Sequence, residues 1–134
     1  MKRRKKTPKQ LLADENLDLW KERCLSLYGD YCLVCGEQPI TFHHFILKSR
    51  NGLMAYDTEN GVPLCKKHHY IVHFSASPSE IHRTIEAIRK ARGKKWCDYI
   101  DRKEKIHKAS FKTLAWLKAE NERLKNLLKE FKKI

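Results

Sequence analysis

No run of apolar side chains in this chain approaches the roughly 20 residues that a membrane-spanning helix needs, so no membrane span is expected. The basic N-terminus, MKRRKKTPKQ, lacks a following apolar h-region, which argues against a secretory signal. Acidic residues are scarce beside basic ones. Sixteen Asp and Glu stand against 29 Lys and Arg, giving a formal charge of +13 and a pI of ≈ 9.7. That bias points to a polyanionic partner, with nucleic acid favoured over a merely soluble basic surface. Disulfide spacing is missing as well. The five cysteines are an odd number, and Cys32, Cys35 and Cys65 have metal-ligand spacing, so a reducing, cytoplasmic compartment is expected.

What is present is concentrated between residues 31 and 74. This stretch holds Cys32-x-x-Cys35, the doublet His43-His44, Asn60, Cys65-x-x-His68 and His69-x-x-x-His73. So short a segment buries little apolar area, and a structural metal would help to hold it. Cys32, Cys35, Cys65 and His68 form two pairs of x-x spacing, the pattern of a closed tetrahedral zinc site. His69 could replace His68 if the local turn is wider. His43, His44, Asn60, His69 and His73 are then left over as a second constellation, which a structural zinc does not need.

The flanking pattern is that of an α+β fold. Residues 1–10 read as a basic arm, disordered when free, that binds phosphate or serves as a solubilising tail. Leu17, Trp20, Cys24, Leu27 and Tyr28 recur at helical spacing, predicting a helix over 11–28 with Asp14 or Asn16 as its cap and Gly29 as its stop. Cys24 falls on its apolar stripe and is expected in the core. A knuckle over 31–36, a strand over 38–46, a loop over 47–59 turning at Asn51-Gly52, a strand over 61–64 and a helix over 66–74 come next. The last helix puts His69 and His73 on one face.

Beyond residue 76 no chemistry is evident, and Cys97, His82 and His107 are expected to be bystanders. A capping box at Ser77-Pro78-Ser79-Glu80 opens a helix to Arg92, and another is predicted over 96–106. The final helix, over 110–134, spaces Leu114, Leu117, Asn121, Leu124, Leu128 and Phe131 as a heptad seam. Such a seam suits either a homodimer, with Glu120 meeting Lys125 of a partner, or an amphipathic helix folded back on its own body.

The doublet, Asn60 and His69-x-x-x-His73 together resemble the HNH endonuclease family in its ββα-metal form, and the cysteine pairs resemble its zinc-stabilised members. The resemblance covers roughly residues 30 to 74, about a third of the chain. It implies a nuclease domain over 11–75, followed by a helical segment over 76–134. It also implies that His44 is the general base, that His43, His69 and His73 hold one catalytic divalent ion, and that Asn60 pins the loop and orients the base. Many members carry Asp where His43 stands, and three imidazoles accept softer ions, so Mg²⁺, Mn²⁺, Ni²⁺ and Zn²⁺ are all candidates. Adjacent strand residues face opposite ways, so a twisted or bulged strand end is expected at the doublet. Lys48 and Arg50 are candidates for holding the phosphate. The layout of the C-terminal half is loosely similar to phage recombination nucleases of the NinG type, which implies DNA as partner in a bacterium or phage-infected cell.

Overall fold

The computed structural model describes residues 4–49, 51–106 and 112–132. Arg50, His107 and the two ends expected for the last helix lie outside the described residues, as does the side chain of Phe131. The order is α1 (Pro8–Tyr28), β1 (Ile40–His44), β2 (Gly61–Cys65), α2 (Lys66–Phe74), α3 (Pro78–Arg92), α4 (Lys94–Glu104) and α5 (Leu114–Lys132). Among the described residues this is an α+β arrangement of five α-helices around a two-stranded antiparallel pair. Among the described residues no helix is long and apolar enough to cross a membrane.

Helix α1 begins three residues earlier than its apolar pattern predicts. Thr7 accepts a hydrogen bond from the Gln10 amide while the Gln10 side chain accepts one from the Thr7 amide, and Pro8 supplies a preset φ. The end of the basic arm is therefore helical, and neither Asp14 nor Asn16 is the cap. Asn16, Trp20 and Cys24 form the buried stripe, whereas Leu27, expected on it, is exposed. Gly29 ends the helix at φ 76, where a side chain would be strained.

Strands β1 and β2 pair in unbroken register from Ile40↔Cys65 to His44↔Gly61. Of the twisted or bulged end expected at the doublet, the bulge is absent. β1 is shorter than the predicted 38–46 at both ends: past His44 the Phe45 amide still donates to the Asn60 carbonyl at 3.0 Å, and at Ile46 the Asn60 side chain takes over from the ladder. Asn60 accepts from the Ile46 amide at 2.6 Å and donates to the Ile46 carbonyl at 2.9 Å and that of Met54 at 3.2 Å. The loop between the strands carries two single 3-10 turns, capped by Asn51 and Asp57.

Helices α3 and α4 are tied by a bidentate pair between Arg89 and Asp101 at 3.0 and 2.9 Å. Ser77 caps α3 by accepting from the Glu80 amide, but the Glu80 carboxylate accepts from Ser75 instead of closing the box. Helix α4 starts at Lys94, two residues before the predicted start. Two cores result. Val62, Leu64, Ile46, Ile88, Trp96 and Ile100 fill one, and Trp20, Cys24, Tyr56, Leu117 and Leu124 fill the other.

The heptad seam is satisfied within the chain. Leu117, Asn121, Leu124 and Leu128 are buried, with α5 packed along α1, while Leu114 stays exposed. Asn121 Nδ2 donates to Asn16 Oδ1 at 2.9 Å, and Asn16 Nδ2 donates to the Leu117 carbonyl at 3.0 Å. Glu120 pairs with Arg123 and Lys125 with Glu15, so the charges expected across a dimer are met locally. Of the two partners considered for this stripe, its buried residues face α1, whose own polar notch at Asn16 matches it.

A double-mutant cycle tests this pairing. Asn16→Ala and Asn121→Ala should each cost about 1–3 kcal/mol, because each leaves a buried amide unsatisfied. Their coupling should exceed about 0.5 kcal/mol in denaturant unfolding. Additive losses, or a sedimenting dimer, would mean that Asn121 pairs elsewhere.

Candidate metal centre

The knuckle, the end of β2 and the first turn of α2 bring Cys32, Cys35, Cys65 and His68 together. Cys35 Sγ lies 3.7 Å from Cys65 Sγ. His68 Nδ1 lies 3.6 Å from Cys32 Sγ and 3.2 Å from Cys65 Sγ. Zinc–sulfur and zinc–nitrogen bonds of about 2.3 and 2.05 Å give tetrahedral edges of about 3.8 and 3.6 Å. The donor atoms therefore stand nearly where a structural zinc requires them. Burial pushes the Cys32 thiol up, but amide donors of Cys65, Cys35 and Val34 outweigh it and hold the thiol below its usual range. The choice between His68 and His69 resolves through helix geometry. Consecutive helical residues diverge by about 100°, so only one of the two can face the cysteines.

His69 turns instead toward His73 and His43, and these three imidazoles form a second group whose ligand atoms all lie within 4.8 Å of one another. His69 Nε2 and His73 Nε2 are 3.1 Å apart, close to the roughly 3.3 Å expected between two nitrogens on a tetrahedral ion. The His43 ring centroid is 5.4 Å from that of His69 and 4.8 Å from that of His73. Burial, reinforced by the His73, His69 and His44 rings, pushes His43 down to about 3, and burial also lowers His69. Both are neutral at pH 7, the state in which an imidazole can bind a metal. His43 is buried and His73 exposed, so the group is open on one side.

His44 takes the other face of β1. Its ring stacks on Trp20 with centroids 4.1 Å apart and planes 9° from parallel. His44 Nε2 lies 2.8 Å from the Ala55 carbonyl, and since a carbonyl only accepts, Nε2 carries the proton and Nδ1 is the basic atom. Burial pushes His44 down to about 4 despite the Ala55 bond, with Lys48, Lys112 and Lys21 lowering it further. Asn60 hydrogen-bonds to neither histidine. It anchors Ile46 and Met54, and so holds the carbonyl immediately before that of Ala55.

A cleft of about 250 Å³ is shared by His43, His44, His69 and His73, with Lys21 and Lys48 on its walls. Sequence reasoning anticipated Lys48 but not Lys21, and it read Trp20 as core without seeing that His44 lies on it. Nothing local marks either role, since α1 reaches the doublet only through tertiary packing. No protein-family model matches this chain, and no curated protein and no solved structure matches it.

Two metal groups of different character give a clear expectation for zinc content. Purified protein should hold about one tightly bound zinc per chain, lost in Cys65→Ser and retained in His69→Ala with His73→Ala. Cys65→Ser should also lower the melting temperature by more than about 10 °C. Zinc retained by Cys65→Ser would assign the tight site to the imidazoles instead.

Proposed function

We propose that this chain is a metal-dependent endonuclease that hydrolyses phosphodiester bonds in DNA. The observation that carries the reading is the shared cleft, which joins an open three-imidazole group to a separately braced fourth imidazole and two lysines. The strand–loop–strand–helix order and the residue pattern from Cys32 to His73 are similar to the HNH family, which supports the same reading.

His43, His69 and His73 would hold the divalent ion. When bound, such an ion offsets negative charge on the phosphate and on the leaving oxygen. The rest falls to the chain's own side chains. His44, neutral at pH 7 and with its Nε2 proton committed to the Ala55 carbonyl, accepts the proton of the attacking water at Nδ1. Trp20 covers one face of the ring and fixes its plane. Lys48 and Lys21 attract the phosphate and hold it by charge rather than by a fixed bidentate grip. Asn60 acts as a positioning residue, because the Ala55 carbonyl that selects the His44 tautomer lies beside the Met54 carbonyl that Asn60 holds. The charge of +13 supports a DNA partner.

The competing reading is a zinc-containing module that binds nucleic acid without cutting it. Supercoiled plasmid incubated with zinc-loaded protein and Mg²⁺, Mn²⁺ or Ni²⁺ separates the two. Wild type should relax or linearise the plasmid. His44→Ala should slow this at least about 100-fold while plasmid affinity stays within about twofold. A wild type that binds but never cuts with any of the three ions would support the binding module.

A further inference from the structure

Helix α2 turns one face toward the imidazole group and leaves a neighbouring face uncovered. On that face stand Tyr70 and Phe74, 61% and 71% exposed, with ring centroids 5.5 Å apart. Burying an aromatic ring is worth about 1.5–3 kcal/mol, yet neither core claims these two. Adjacent uncovered rings of this kind mark a contact surface.

With Pro39, Ile40, Thr41, Lys66 and His69, the two rings line a cleft of about 340 Å³. Thr41 and His69 also line the cleft that holds His43, His44 and His73. The two clefts therefore meet at a metal-binding imidazole. No acidic side chain among the described residues lines either of them, whereas Lys66, Lys21 and Lys48 do.

We propose that Tyr70 and Phe74 form a stacking platform for unpaired bases of the strand whose phosphate lies at His43, His69 and His73. The inference deepens the nucleic-acid reading above and rests on it. A ring surface flanked by lysines fits a strand that offers both phosphates and open base faces. A duplex keeps its base faces stacked inside and presents only edges and phosphates. An apolar peptide would match the rings but not the lysines. The substrate class assigned is thus single-stranded or locally unpaired DNA.

Fluorescence anisotropy on zinc-loaded protein, without added divalent ion, tests the platform. The probes are a labelled short oligothymidylate and a mixed-sequence duplex of the same length. Wild type should bind the single strand more tightly. Tyr70→Ala with Phe74→Ala should weaken single-strand binding by at least about tenfold and duplex binding by no more than about threefold. Both rings are exposed, so the melting temperature should hold, and Tyr70→Phe with Phe74→Tyr should restore single-strand affinity. Equal losses on the two probes, an unchanged single-strand affinity, or no rescue by the swapped rings would each overturn the platform. An unchanged affinity would leave the rings to a protein partner. Plasmid cutting in the double-alanine variant keeps the two readings apart, since a failed platform leaves cutting intact and a failed nuclease leaves the binding contrast intact.

Discussion

The direction in which α2 leaves β2 is the constraint on which the rest depends. Strand and helix are contiguous, with Cys65 as the last strand residue and Lys66 as the first helical one. Helix α2 buries only Ile71 fully, and Cys65 makes no side-chain cap bond. One buried isoleucine contributes about 2 kcal/mol, too little to fix the aim of a nine-residue helix against its loss of entropy. A structural zinc contributes on the order of 10 kcal/mol. Cys65 and His68 lie at the junction and in the first helical turn, where that energy would set the helix direction. A zinc held there would thereby decide where His69 and His73 point.

β1 solves the complementary problem by staying regular. Consecutive strand residues face opposite ways, and the unbroken register sends His43 toward α2 and His44 toward α1. A bulge would have put both rings on one side and left one without a brace. Instead each ring has its own support, and the cleft wraps round the strand end to include both. His43 is surrounded by imidazoles and His44 by an indole face and a carbonyl. The same residue type thus stands in one place where it could donate to a metal and in the other with Nδ1 left as its basic atom, through environment alone.

Local spacing carried much of this into the sequence. Cys32-x-x-Cys35, Cys65-x-x-His68 and His69-x-x-x-His73 are legible because donors three or four residues apart converge within one turn or one helical face. α2 and α3 begin and end at the predicted residues for similar reasons, with Pro78 and Gly93 as punctuation. The start of α1 was hidden by its lysine-rich composition, although Thr7-Pro8 and Gln10 carry the capping signal. What covers the α5 stripe was not legible at all. A heptad seam specifies an apolar surface with one polar notch and says nothing of which helix matches it. Asn16 supplies the matching amide, but it stands 105 residues away and reads locally as a cap.

That distant match bears on the doublet. Trp20 lies under His44, donates its indole N–H to the Asp57 carbonyl at 2.8 Å, and packs in the same core as Leu117 and Leu124 of α5. A Cβ placed on Gly61, the partner of His44 across the sheet, would come within 2.5 Å of Cys24 Sγ and 3.0 Å of Trp20 Cζ2. α1 therefore fits against the strand end with no room for a methyl group, and α5 presses it there from behind. The plane of the His44 ring is in this way set by a helix that contributes nothing to the cleft itself. A helical segment without chemistry of its own thus helps to position the basic atom that the neighbouring module would use.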